Sequence, residues 1–110
     1  MKIQNALGDI HIGVSVFKKI VFQSLLESYG LVRMDDVNIL NKYLGGDDKG
    51  IHIREDDTGI TVDVFPVISY GMKIDQVSLN AQENIQYNFQ QMLGVVPRAI
   101  NIHVLGIHIE

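Results

Sequence analysis

Residues 60–109 decide the fold, and they read in succession ITVDVFPVISYG, MKIDQVSLNAQENIQYNFQQMLG and VVPRAINIHVLGIHI. In the first segment every second residue from Ile60 to Val64 is apolar, which is the pattern of a half-buried β-strand. The third segment alternates in the same way from Ile100 to Val104. Gly71 should end the first strand, because glycine readily adopts the positive φ that a turn requires.

The segment between the two strands has the spacing of an amphipathic helix. We expect Asp75 to be its N-cap and Gly94 to be the left-handed residue that ends it. A strand, a helix and a strand in this order predict a right-handed βαβ crossover with parallel strands. The apolar residues that form the helical stripe are Val77, Ala81, Ile85, Phe89 and Met92.

The N-terminal part of the chain predicts another strand and another helix. Residues 7–12 should form a short strand with Ile10 and Ile12 facing the core. Ser15 is a candidate N-cap for a helix that extends to about Tyr29. The residues expected on the buried stripe of that helix are Phe17, Ile20, Val21, Ser24, Leu25 and Leu26.

Together these elements predict a two-layer α+β domain that spans residues 1–110. One mixed β-sheet of about four or five strands would carry two main helices on one face. The further elements expected are a brief strand at 31–34, a short helix after Asp35-Asp36, and a hairpin whose strands, around Ile51 and Ile60, are joined by the turn at 56–59.

The composition indicates a globular protein of the cytoplasm. Of the 110 residues, 46% are apolar and 20% are charged, and none is cysteine, so a disulfide or a zinc–thiolate site is not expected. The net charge of −4 argues against nucleic acid as a partner. No apolar run approaches the roughly 20 residues of a membrane span, so we expect no direct membrane insertion.

Seven short motifs follow one another along the chain: GDIHI at 8–12, YGLVRM at 29–34, KGI at 49–51, VDVF at 62–65, SYGMKI at 69–74, QENI at 82–85 and NIHVLGI at 101–107. In this order, and over essentially the whole chain, they resemble the alkaline shock protein family of Gram-positive and related bacteria, also called the general or envelope stress protein family. Three positions depart from the family pattern: Gly13, Arg33 and Pro66. Proline cannot donate a ladder hydrogen bond, so we expect Pro66 at a sheet edge or a bulge.

The resemblance implies a non-enzymatic role in cell-envelope stress or envelope and lipid homeostasis, and no catalytic residue. Some members of the family are held at the membrane by a separate anchor protein, and some short members are encoded beside lipid-metabolism genes. It therefore implies self-association, binding to another protein, or both, and a cytoplasmic location with membrane association through a partner.

Two surfaces are candidates for such contacts. Phe65 and Val67 should face away from the helices, where an apolar pair needs a cover, unless a register change at Pro66 turns one of them inward. The second helix has an amide-rich exterior that is either a docking face or simply solvated. The residues assigned to the interaction surface are Phe65, Val67, Leu79, Gln82, Gln86 and Leu93.

The four histidines suggest an alternative function, because aliphatic residues flank each one. Alternation would place each imidazole on the face opposite the core, and a bulge at Gly106 would bring the last two onto one face. They form either a metal-binding or small-ligand-binding regulatory cluster, or ordinary polar positions on a solvated sheet face. The candidates are His11, His52, His103 and His108.

The acidic pairs do not indicate a catalytic or calcium site. Asp35-Asp36, Asp47-Asp48 and Asp56-Asp57 each fall in a turn or cap and lack the spacing of a calcium loop. Neither a nucleophile signature nor a phosphate-binding loop is present. The sequence therefore predicts a non-catalytic interaction or scaffolding domain with no cofactor.

Overall fold

The computed structural model describes residues 1–28 and 50–109, and it has an α+β architecture, as the sequence predicts. Two long helices and seven short strands are described, in the chain order of two strands, a helix, three strands, a helix and two strands. The elements are β1 (Lys2–Asn5), β2 (Gly8–His11), α1 (Val14–Glu27), β3 (Ile51–Asp56), β4 (Gly59–Val64), β5 (Val67–Ser69), α2 (Ile74–Leu93), β6 (Ala99–Ile102) and β7 (Gly106–His108).

The central sheet has the strand order β3-β4-β6. β3 and β4 form the expected antiparallel hairpin, with Ile53 opposite Val62. β4 and β6 are parallel, with Val62 opposite Ile100, and α2 is the connection between them. The predicted βαβ crossover is therefore confirmed.

The parallel ladder continues beyond Pro66 as β5 and β7. Val64 pairs with Ile102 in the first part, and Val67 pairs with Gly106 in the second. Residues 65–66 of one strand therefore face residues 103–105 of the other, which is the two-against-three count of a β-bulge. Pro66 lies at this bulge, as predicted, and its carbonyl oxygen accepts the N–H of Leu105 at 2.9 Å.

The core lies between the inner face of the central sheet and the two helices. Phe17 of α1 and Phe89 of α2 are fully buried, with ring centroids 5.8 Å apart. Burying these apolar side chains is the main force that holds the two layers together. The buried apolar cluster comprises Phe17, Ile20, Val21, Leu25, Ile51, Ile60, Val62, Val64, Ile68, Val77, Ala81, Ile85 and Phe89.

A polar ladder also joins the two helices. Asn88 Nδ2 donates to Ser24 Oγ at 2.8 Å, and Asn84 Nδ2 donates to Ser28 Oγ at 3.3 Å. Both serines are buried, and Ser24 Oγ in turn donates to the carbonyl oxygen of Ile20. These hydrogen bonds satisfy polar groups that would otherwise be costly inside the helix layer.

Both predicted N-caps are wrong, whereas the predicted helix end at Gly94 is confirmed. The N-cap positions are Gly13 for α1 and Lys73 for α2, and Ser15 lies inside the helix. Asp75 is in the first turn of α2, where its Oδ1 accepts the N–H of Gln76 at 2.9 Å. A carboxylate there still stabilises the positive end of the helix dipole. Gly94 adopts φ +70°, and its N–H binds the carbonyl oxygen of Gln90.

The N-terminal strand is a hairpin arm rather than a core strand. β2 pairs with β1, which the sequence analysis missed, and Ile10 lies opposite Ile3. Ile10 is 50% exposed because neither of the two described helices covers the hairpin, so its predicted inward position is wrong. Ile12 is half-buried against the core, as expected. The strand predicted at 31–34 and the helix predicted after Asp35-Asp36 lie outside the described residues.

Candidate functional site

The outer face of the central sheet brings polar and aromatic side chains together from three strands. The register sets His52 of β3 beside Asp63 of β4, and Asp63 beside Asn101 of β6. Phe65 is the first residue after the end of β4, and His103 is the first residue after the end of β6. We refer to His52, Arg54, Asp63, Phe65, Asn101 and His103 as the outer-face cluster.

Asp63 is the polar centre of this cluster. Its Oδ1 accepts a hydrogen bond from Asn101 Nδ2 at 2.9 Å and lies 3.2 Å from His103 Nε2. Its Oδ2 accepts from Arg54 Nη2 at 3.1 Å. The bonds from Asn101 and His103, followed by the Arg54 guanidinium, hold the pKa of Asp63 below its ordinary value of 3.8. The carboxylate is therefore ionised and well satisfied, which makes it an anchor for its neighbours rather than a proton donor.

Phe65 lies between two imidazoles. Its ring stacks on His103 with centroids 4.7 Å apart and an interplanar angle of 16°. His52 approaches with its plane at 86° to the Phe65 ring and a centroid separation of 5.4 Å. The Phe65 N–H also donates to the carbonyl oxygen of Gly50 at 3.0 Å. The backbone bond and two ring contacts thus hold a half-buried phenyl ring on the sheet face opposite the helices.

Phe65 and Val67 differ in exposure, since the Phe65 ring is half-buried whereas Val67 is only 8% exposed. The bulge places the extra residue in the 103–105 segment, so the strand that carries Phe65 and Val67 keeps its alternation, and Ile68 rejoins the buried core cluster with Val64. Val67 is therefore covered within the domain and offers little surface to a partner.

The residues assigned to α2 lie on the opposite layer of the domain from Phe65. Leu79 is 46% exposed and Gln86 is exposed, so both are available at the surface. Gln82 instead donates through Nε2 to the carbonyl oxygen of Ile100 at 2.8 Å, and this bond ties α2 to β6. Leu93 is half-buried against the core. The α2 residues and Phe65 therefore form two separate surfaces.

Part of the amide-rich surface of α2 faces the rest of the domain rather than solvent. Gln82, Asn84 and Asn88 all donate hydrogen bonds within the domain, two of them across the helix–helix interface. A polar side chain on a helical wheel can face solvent or a polar group of a neighbouring helix. The single sequence does not distinguish these cases, because the complementary Ser24 and Ser28 lie about 60 residues away.

Two of the four histidines meet at one residue, since His52 and His103 both contact the Phe65 ring. His11 lies on the exposed β2 hairpin. His108 belongs to β7. Within residues 1–28 and 50–109, no group of three or more His, Cys, Asp or Glu side chains is arranged to hold a metal ion.

The acidic pair at the β3–β4 turn is structural, as its position predicts. Asp56 Oδ1 accepts the backbone N–H of Thr58 at 2.8 Å and also its hydroxyl. The hydroxyl and then the backbone N–H of Thr58 hold the pKa of Asp56 below 3.8. The pairs at 35–36 and 47–48 lie outside the described residues.

Sequence reasoning missed the polar partners of Phe65 and His103. Arg54 and Asn101 had no assigned role, yet both hold Asp63 from neighbouring strands. Arg98 donates to the Thr61 hydroxyl on the same face at 3.1 Å. The available signal was the strand alternation, since the odd-numbered polar residues of β4 and β6 must share one face once the two strands pair.

Comparison with known proteins places the whole chain in one family context. The model of the alkaline shock protein 23 family, described as having a cell envelope-related function, matches residues 2–109. An uncharacterized protein of Streptococcus pyogenes serotype M6, Spy1614, is 32% identical over 115 residues, covering 99% of this chain and 95% of that protein. The uncharacterized protein YloU of Bacillus subtilis is 25% identical, with coverages of 99% and 96%. No solved structure matches.

Proposed function

Because this chain belongs to the alkaline shock protein 23 family, whose function is related to the cell envelope, we propose that it is a non-catalytic interaction domain that acts in envelope stress or homeostasis. Its contact surface is the outer-face cluster centred on Phe65. The relatives carry no assigned activity, so the proposal rests on the chemistry of this face.

One observation carries the proposal: a half-buried phenyl ring is fixed between two imidazoles on the sheet face opposite both helices. Aromatic side chains with an apolar ring and polar surroundings are enriched at protein interfaces. The ring is held before any partner arrives, which reduces the entropy lost on binding. This favours a contact surface over a solvated face that happens to carry an aromatic residue.

The occupant that we propose is a second copy of the chain, and the charges of the face support it. Arg54 and Arg98 offset Asp56 and Asp63, so the face is formally neutral with neutral histidines. Two such faces can meet about a twofold axis without net repulsion, each presenting the same residues to the other. Burial of Phe65 in both copies then supplies the apolar centre of the interface.

We also propose that the domain lies in the cytoplasm and reaches the membrane through another protein. None of the helices in the described residues is both long enough and apolar enough to cross a membrane. The exposed Leu79 and Gln86 of α2 lie on the layer opposite Phe65, so a second partner can bind there while the sheet face is occupied.

Light scattering coupled to size-exclusion chromatography tests the sheet-face contact. We expect the native chain to form a dimer or larger species, and Phe65→Asp to give a folded monomer, because a charge at the centre of the interface is unpaired. Leu79→Asp is the matched control, since it introduces the same charge on the helix layer and should leave the mass unchanged. An unchanged assembly in Phe65→Asp would exclude the sheet face, and dissociation by Leu79→Asp alone would move the contact to α2.

The alternative metal-binding function finds no support in the described residues, which offer no three-ligand cluster. Calorimetry with zinc or nickel remains the direct check, and stoichiometric heat that disappears in His52→Ala and His103→Ala would contradict this position.

A further inference from the structure

A cleft of about 410 Å³ lies where the beginning of α1 meets β3 and β4, beside the outer-face cluster. Its apolar lining comes from Val14 of α1, Ile53 of β3 and Phe65. The Phe65 ring is half-buried and fixed by its two ring contacts, so this lining is formed before any ligand binds. The volume falls within the range of about 300–1,000 Å³ that is typical of small-molecule sites.

The polar lining of the cleft is cationic. Lys18, His52 and Arg54 contribute to it, and Asp63 is the carboxylate among the lining residues. Lys18 makes neither a hydrogen bond nor an ion pair with the described residues, so its ammonium group is available. Arg54 contacts Asp63 through Nη2 alone, and a guanidinium has five N–H donors.

The Asp63 carboxylate cancels only one of the two positive charges of Lys18 and Arg54. Asn101 and His103 already contact its Oδ1, and Arg54 contacts its Oδ2. The formal charge of the lining is therefore +1 with neutral His52, within a chain whose net charge is −4. A cationic site beside a fixed aromatic ring selects an anion that carries an apolar, planar group.

We propose that this cleft binds a small anionic molecule with an aromatic or short apolar body, such as an aryl phosphate or an aryl carboxylate. Lys18 and Arg54 contact the anionic group, and the body of the molecule packs against Phe65, Ile53 and Val14. The proposal goes beyond the interaction function and does not depend on it, because assembly is measured without ligand. The two sites share His52, Arg54, Asp63 and Phe65 but not Lys18.

The test is a two-dimensional ¹H–¹⁵N NMR titration of the whole chain with phenyl phosphate, inorganic phosphate and benzyl alcohol. We expect saturable shifts with phenyl phosphate at the amides of Lys18, His52, Ile53 and Arg54. Each of the other two probes carries only one half of the recognised chemistry, so each should bind at least about tenfold more weakly. Inorganic phosphate that binds as tightly as phenyl phosphate would overturn the assignment of an apolar body.

Lys18→Gln and Lys19→Gln form a matched pair of variants. They remove the same charge from neighbouring positions of α1, but the Lys19 side chain lines a different groove, between α1 and α2. Lys18→Gln should weaken phenyl phosphate binding about fivefold, and Lys19→Gln should leave it unchanged. Equal effects of the two variants, or no saturable shift in the native chain, would overturn the proposal.

Discussion

The two faces of the β3-β4-β6 sheet are built from the same strands, but one packs against the helices and the other carries a network of polar and aromatic side chains. On the inner face, Ile51, Val62 and Val64 are fully buried under the helices. On the outer face, the intervening positions His52 and Asp63 take part in a network of ring contacts and hydrogen bonds. The inner face gains stability from area removed from water, whereas the outer face positions groups at a small energetic gain. The inner-face residues therefore stabilise the fold, whereas the outer-face residues are the candidates for binding.

The largest effect should come from the helix layer on the inner face. Phe89→Ala removes a fully buried ring that packs on Phe17, and we expect a loss of about 3–5 kcal/mol in the free energy of unfolding. Urea unfolding followed by circular dichroism measures it. Tyr87→Ala, which changes a residue that is 61% exposed on the same helix, should cost less than about 0.5 kcal/mol. Similar losses in the two variants would contradict the burial pattern of α2.

The bulge at Pro66 provides the next test, because Phe65 before it is half-buried and Val67 after it is almost fully buried. Val67→Asp places a charge at a buried position and should cost about 3 kcal/mol or more. Phe65→Asp should cost about 1 kcal/mol, since it mainly loses the two ring contacts. Thermal and urea unfolding of both variants check the order. If Val67→Asp is the milder change, the burial of Val67 in the folded chain is contradicted.

Asn88→Ala tests whether the amides of α2 are internal. It leaves Ser24 Oγ without its donor inside the helix layer, and we expect a loss of about 1–2 kcal/mol in unfolding free energy. Gln91→Ala changes an exposed amide of the same helix and should be nearly neutral. If Asn88→Ala leaves the unfolding free energy unchanged, the Asn88 amide is solvated rather than internal.

The smallest effect should be the pH dependence that arises from Asp63. Its pKa is held below 3.8 in the folded state, so its stabilising contribution is complete above that value and is lost as the pH falls below it. Asp63→Asn cannot titrate and should flatten the acid side of the stability curve, by less than about 1 kcal/mol. Urea unfolding at pH 6 and pH 3 measures the difference. The control is Asp57→Asn, an exposed carboxylate in the β3–β4 turn, and an equal flattening there would argue against a specific role of Asp63.

Much of the fold was predictable because strong periodicity and glycine punctuation are local signals. The stripe from Val77 to Phe89 and the left-handed Gly94 required only the spacing of residues along one helix. The N-caps at Ser15 and Asp75 were wrong, since helix ends differ by one or two residues according to the turn that precedes them. The β1–β2 hairpin was missed because four-residue strands with little burial leave a weak pattern.

The candidate site was only partly predictable. Phe65 and the outward His52 and His103 follow from strand alternation, but their mutual contacts depend on strands joined by a hairpin and by a helical crossover. Arg54 and Asn101 could not be assigned a role without the register that brings both to Asp63.

The sequence by itself determined the element types, the βαβ crossover, the inner-face core and the family, because each depends on short-range pattern or on motif order. Only the tertiary structure decided which polar residues meet. It buried Val67 beside the bulge, directed Asn84 and Asn88 to the buried Ser28 and Ser24, and collected the outer-face cluster around Asp63 and Phe65. The physical reason is that periodicity assigns a side chain to a face, whereas pairing register and layer packing determine which other side chains it meets there.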